Sequence, residues 1–289
     1  MKKLSILTMM LAAFLLYSSA ASAIDADSTG LPGDNFSLQG AIEMFKKAGS
    51  PEEFEKLINT QSNNVNNLDL DGDGETDYIR VINKMDKDVH AFILQVAVSD
   101  KENQDIAVIE LEKTGNASAL LQIIGDEDIY GEEIIIEASD GSGADDEDND
   151  RQRKNGPSFY DDYKPTIIVN VWMWPSVQFV YGPAYRPWVS PWRWRHYPGW
   201  WRPWRPAPWR VFHPLTVRHH SYCRVVKTHR VVTAHRIYKP YRTTSVTVRT
   251  RHASAVKNYR VTRTTRTVVG PKGGKIKTTK TKIKRGRRG

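Results

Sequence analysis

Nine consecutive residues carry the most specific chemistry in the chain: Asp69-Leu70-Asp71-Gly72-Asp73-Gly74-Glu75-Thr76-Asp77. Carboxylates recur at loop positions 1, 3, 5 and 9. In a tight loop, alternate residues turn their side chains toward one centre, and the glycine after the third aspartate permits the sharp turn. So many acids in so short a stretch require a counter-ion. Calcium, which takes about six to eight hard oxygen ligands, suits the spacing, and the backbone carbonyl of Glu75 at position 7 would add one more. A solvated Asp/Gly turn without metal is the plainer alternative, because both residue types favour turns unaided.

The aspartate segment resembles the calcium loops of EF-hand and dockerin modules, and still more the aspartate-rich hairpin loops of FG-GAP-type repeats, which join two strands. The resemblance covers about a dozen residues and implies Ca2+ binding, with Asp69, Asp71, Asp73 and Asp77 as side-chain ligands. One position departs from it. An EF-hand places a bidentate glutamate at loop position 12, where this chain has Arg80. A helix-loop-helix hand is therefore not expected, and the strand-loop-strand version is, since Tyr78, Ile79, Arg80 and Val81 follow the loop immediately as strand residues. Without the bidentate ligand the affinity should lie at roughly 10⁻⁴ to 10⁻³ M, which still fills outside a cell and gives calcium a structural role.

A second constellation is aromatic and cationic. All nine tryptophans lie between Trp172 and Trp209. They alternate with Pro and Arg, as in Trp192-Arg193-Trp194-Arg195 and in Trp200-Trp201-Arg202-Pro203-Trp204-Arg205. That proline density excludes helix and interrupts strand pairing, leaving irregular or polyproline-like backbone. The composition resembles cationic tryptophan-rich antimicrobial peptides of the indolicidin kind. In those, indoles settle at the lipid headgroup level while arginines engage phosphate. The same residues could stack nucleic-acid bases, or the indoles could simply pack on one another or on a sheet. Arg285, Arg287 and Arg288 extend the cationic surface at the C-terminal end.

Catalytic signals are few. No nucleophile elbow, zinc-protease helix or phosphate-cradling glycine loop occurs. His90 is out of phase with Ala91 and Ile93 on an expected strand, which points it to solvent. His213, His219, His220, Cys223, His229 and His235 match no closed tetrahedral metal motif, and the arginines around them disfavour a cation. Asp126-Glu127-Asp128 with Glu132 and Glu133 lacks regular spacing and reads as a solvated loop.

The charge distribution sets the frame for these sites. Residues 24–150 hold 31 Asp and Glu against 8 Lys and Arg, a net of −23. Residues 151–289 hold 32 Lys and Arg against Asp161 and Asp162, a net of +30. No acid follows Asp162, so the cations beyond it cannot be neutralised among themselves. The expected partners are an anionic envelope glycolipid or polysaccharide, with extracellular nucleic acid as the alternative and association between the acidic and basic halves as a competitor. Lys2 and Lys3 precede an apolar run from Leu4 to Tyr17 and the small residues Ala21-Ser22-Ala23. That pattern reads as a cleaved signal peptide over 1–23 and a periplasmic or secreted product, with no later span. One cysteine excludes an internal disulfide.

The elements that must hold these groups come next. Ser37 precedes Leu38, Ala41, Ile42, Phe45 and Ala48 at helical spacing, closed by Gly49. Ser50-Pro51-Glu52-Glu53 then starts a second helix with a capping box, its inward stripe being Phe54, Leu57 and Ile58. From Tyr78 the period becomes two, giving four or five short strands through Ile134–Ile136. The fold class expected is α+β: two N-terminal helices on a small antiparallel sheet, followed by a largely irregular, β-prone basic C-terminal region. The divisions are an acidic domain over 24–140, a linker over 141–165, a Trp/Pro/Arg-rich segment over 166–215 and a basic tail over 216–289. Thr244–Arg249 alternates as a strand does, and Gly270-Pro271-Lys272-Gly273-Gly274 reads as a hairpin turn. Functionally this favours a secreted, calcium-stabilised binding or structural protein, with an extracellular nucleic-acid binder and a secreted hydrolase as alternatives.

Overall fold

Ser37 and Ser50 each start a helix by the same chemistry. The Ser37 hydroxyl accepts from the Gly40 amide at 2.9 Å, opening α1 (Leu38–Lys47). The Ser50 hydroxyl accepts from Glu53 at 3.1 Å, opening α2 (Pro51–Ile58). Glu53 reaches back to the Gly49 amide at 2.8 Å, so the free donors of the first turn are satisfied from both directions. The computed structural model describes residues 28–139, 169–269 and 275–284. The segments expected to be a signal peptide (1–23) and a linker (141–165) fall outside the described residues, as do Arg285, Arg287 and Arg288.

Five strands follow: β1 (Ile79–Asp86), β2 (Val89–Ala97), β3 (Asn103–Gly115), β4 (Ser118–Gly125) and β5 (Ile134–Ala138). They pair in sequence order as an antiparallel meander, with the short α3 (Glu127–Tyr130) between β4 and β5. The chain is thus α+β, with its N-terminal helices ahead of the sheet. A sixth strand, β6 (Cys223–Val226), comes from the basic half and pairs with β5.

Both faces of the sheet are covered. On one face Phe92, Leu94, Val96, Ile109, Leu111 and Ile123 meet Phe45 and Phe54 of α1 and α2, together with Val177 and Val180 of α4 (Pro175–Val180). On the other, Ala91, Ile93, Val108, Ile124 and Ile135 meet Tyr238, the last residue of α6 (Val232–Tyr238). Residues beyond 168 therefore share the acidic half's core rather than standing apart from it.

Cover on both faces explains three differences from the expectations. His90 is buried, because the helices lie on the Phe92 side of β2 and the basic half covers the Ala91 side. Asp126 is buried too: it caps α3, accepting from Asp128 at 2.9 Å, and is therefore not part of a solvated loop. Thr244–Arg249 is not a strand, since Ser245 caps α7 (Val246–Asn258) by accepting from Val248 at 3.2 Å.

The tryptophan-rich segment is irregular from Gly182 to Pro208, as its prolines dictate, but short helices bound it at α4 and at α5 (Trp209–Thr216). Pro175 sits at the first helical position of α4, where the missing amide costs nothing. Strands β7 (Arg260–Val269) and β8 (Lys275–Lys284) form a separate antiparallel hairpin.

Candidate functional site

The aspartate loop enters β1 directly. On its upstream side the regular pairing is one isolated bridge between Asn66 and Phe36, so the loop joins no full pair of strands. Its backbone is folded by its own carboxylates. Asp69 accepts from the Gly72 and Gly74 amides at 2.7 and 3.0 Å. Asp71 accepts from Asp73 at 3.1 Å and Asp73 from Glu75 at 2.9 Å. Gly72 and Gly74 stand at φ +73° and +86°, a region a β-carbon resists, which is why both positions are glycine.

One carboxylate oxygen from each of Asp69, Asp71 and Asp73 lies within 4.8 Å of the others. Asp77 is placed differently. It is buried, and its Oδ2 accepts from the Leu70 amide, closing the loop from within. Burial raises its carboxyl well above the usual range, and the charges of Asp71, Asp69 and Asp73 add to the effect. Asp71 is raised by burial and by Asp73 and Asp69. The Glu75 side chain is exposed and stands outside the cluster of Asp69, Asp71 and Asp73. Three oxygens converging on one centre amid mutual repulsion form a donor set of the hard, all-oxygen kind that calcium takes.

The tryptophan-rich segment runs along the same edge. Residues 188–190 lie beside β1: the Asn83 amide donates to the Trp188 carbonyl at 2.7 Å and the Ser190 amide to the Val81 carbonyl at 3.0 Å. This covers what would otherwise be the open edge of the sheet. Farther on, the Thr76 amide donates to the Trp204 carbonyl at 2.8 Å. Asn67 clamps Ala207 with two hydrogen bonds, at 2.9 and 2.8 Å. Trp201 is buried edge-on against Tyr78, ring centroids 5.1 Å apart. Trp194 lies beside Asp71, its buried Nε1 without a well-formed hydrogen bond. Arg251 of α7 closes the other side, donating to the Leu70 carbonyl with its guanidinium packed against Gly72.

Arginines and indoles separate by exposure. Arg193, Arg195, Arg202, Arg205 and Arg210 are exposed, whereas Trp192, Trp194 and Trp204 are half-buried and Trp200 is exposed. Among the described residues none of these five arginines lies within ion-pair distance of a carboxylate. Arg202 donates only to the Gly199 and Trp201 carbonyls, and the Arg195 guanidinium stacks 4.4 Å from the Trp194 ring.

Four arginines after residue 220 behave in the opposite way. Arg242 pairs with Asp126 at 2.6 Å, Glu127 at 3.2 Å and Asp128 at 3.1 Å. Arg249 reaches Asp128 at 3.6 Å, and Arg224 and Arg230 hold Glu137 at 3.1 and 2.8 Å. For these four, the acids missing within the basic half are supplied by β5 and by the start of α3.

Sequence reasoning missed the group that ties the two halves together. Glu55 of α2 is buried and accepts four hydrogen bonds: from Tyr78 at 2.9 Å, Val81 at 2.9 Å, Trp188 at 3.0 Å and Ser190 at 2.8 Å. Burial raises its carboxyl, and the four donors oppose that rise. A glutamate on the inward side of a helix stripe was the available signal. No helix among the described residues is long and apolar enough to cross a membrane. Compared with protein-family models, with curated proteins and with solved structures, the chain matches none.

Proposed function

We propose that the protein is an exported, calcium-stabilised binding protein of the bacterial envelope, and that its arginine rim grips an anionic glycolipid, polysaccharide or membrane surface. The observation that carries this reading is the sorting of cations. Arg224, Arg230, Arg242 and Arg249 are matched to carboxylates, while Arg193, Arg195, Arg202, Arg205 and Arg210 stand exposed beside indole rings with no carboxylate match among the described residues. A like-charged row left unmatched attracts phosphate, and adjoining indoles favour a headgroup boundary. Calcium at Asp69, Asp71 and Asp73 supports the rim indirectly, by fixing the loop that Trp204 and Arg251 dock on.

The test is co-sedimentation of the full chain with neutral vesicles and with vesicles carrying anionic lipid or lipopolysaccharide. Surface attraction of about 1 kcal/mol per cation makes R193Q/R195Q/R202Q/R205Q bind the anionic vesicles ~10²- to 10³-fold less tightly. Equal binding to neutral vesicles, or no loss in the variant, sinks the reading.

A further inference from the structure

A row of buried polar residues crosses the sheet on the face that the basic half covers. Glu110 of β3 is paired with Gln122 of β4, Gln122 with Glu137 of β5, and Glu137 with Arg224 of β6. Glu110 and Gln122 have no exposed surface. Carboxylates in such a place need matched partners. Glu137 has two, Arg224 and Arg230. Among the described residues Glu110 meets no arginine or lysine: its Oε2 accepts from Gln122 at 2.7 Å, and its Oε1 lies 3.1 Å from His235 Nδ1, an ion pair only when that ring is protonated.

His229 stands against His235, ring centroids 4.3 Å apart. Its Nε2 is 3.4 Å from Glu133, and its Nδ1 is buried without a hydrogen-bond partner. A buried imidazole nitrogen with nothing to bond is a cost that native structures rarely carry without a reason. One donor atom from each of Glu110, His229 and His235 lies within 4.8 Å of those of the other two.

We propose that Glu110, His229 and His235 form a binding site for a transition-metal dication of the zinc type. Two imidazoles and one carboxylate are a zinc donor set, distinct from the all-oxygen set of the aspartate loop. Tetrahedral zinc with bonds of about 2 Å separates its donors by roughly 3.3 Å, so a small side-chain rotation brings the three to bonding distance. The outer shell is already in place. Glu133 lies 3.4 Å from Nε2 of His229, and Gln122 holds the other oxygen of Glu110, as partners of metal ligands do. His229 and His235 keep 26% and 23% of their side-chain surface exposed, which leaves a fourth position open to water. Bound metal would staple the segment carrying His229 and His235 to the centre of the sheet.

Competition of the full chain against a chromophoric zinc chelator reads the site directly. One zinc is taken up per chain, and H229Q/H235Q weakens that uptake at least 100-fold. E133Q, which touches only the outer shell, weakens it about 10-fold. Calcium does not displace the zinc. Absence of uptake, or uptake unchanged in H229Q/H235Q, overturns the assignment. Should the double variant fail to fold, the native chain still decides the matter. Zinc protects His229 and His235 from diethyl pyrocarbonate, read by peptide mass spectrometry, and equal modification with and without zinc overturns the site.

Discussion

Trp188 donates its indole N–H to the buried carboxylate of Glu55 at 3.0 Å, across 133 residues of sequence. This bond and the one from Ser190 make an acid of the second helix the anchor for the tryptophan-rich segment. Removing the acid leaves four donors without their acceptor, two of them from the backbone and core of the acidic half. E55A should cost about 3–5 kcal/mol in chemical denaturation. W188F should cost about 1–3 kcal/mol, and the double variant less than the sum. Additive losses would mean that the bond does not couple the two halves.

His90 gives the acid limb of stability a definite slope. Burial against Asn83, Phe92, Tyr181 and Tyr185 lowers its pKa from 6.5 to about 4, with Asp88 opposing weakly. The folded chain therefore keeps the ring neutral where the unfolded chain protonates it. Stability is full above pH 6.5 and is lost as pH falls toward 4, by ~3 kcal/mol over the window. Asp105, raised by burial to about 6, contributes the opposite slope, its stabilisation being lost as pH rises from 3.8 through 6. Comparison with H90F isolates the histidine. The variant's melting temperature should fall less than the native chain's between pH 6.5 and 4.5, and parallel curves would refute the assignment.

Arg242 neutralises three acids at the start of α3, of which Asp126 is the buried one. R242M strands that charge and should cost ~3 kcal/mol, while D126N/R242M recovers part of the loss. Raising the salt concentration should change the native chain little, because the Asp126 arm is shielded from solvent. A loss equal in R242M and in the double variant would show that packing of the arginine stem, and not charge, is what matters.

The acidic half's helices and first five strands were legible because their signals are local. Ser37 and Ser50 carry their caps in sequence, and the period changes from helical to alternating near Tyr78. The basic half's elements are made by distant partners. The Ser245 cap is completed by Glu102, which accepts from the Ser245 hydroxyl and from the Thr247 amide at 3.0 Å. An acid placed at a helix N-terminus by the β2–β3 turn favours helix in an alternating Thr/Val run, and no local pattern announces it. The burial of His90 was hidden for the same reason, since its period-two alternation presumes one open face. The aspartate loop was legible because its carboxylates lie at alternate positions of one short stretch. Glu110, His229 and His235 were not, because 119 residues separate the acid from the nearer histidine.

Calcium should raise the melting temperature of the full chain, since the loop anchors both Trp204 and Arg251. At a concentration ~10-fold above the dissociation constant the gain is about 1.4 kcal/mol, a shift of a few degrees. D69N/D71N/D73N should show none. A shift that persists in that variant would place the calcium elsewhere.

The rim itself is tested most directly by the salt dependence of its binding to vesicles bearing lipopolysaccharide. The native chain should lose affinity steeply between 50 and 300 mM salt, because Arg193, Arg195, Arg202 and Arg205 act as one cationic surface. R193Q/R195Q/R202Q/R205Q should bind weakly at both concentrations, with a shallow slope. Duplex DNA retained more tightly than the vesicles at both concentrations would move the reading to nucleic acid. Native binding that is insensitive to salt, or that survives intact in the variant, would contradict the account.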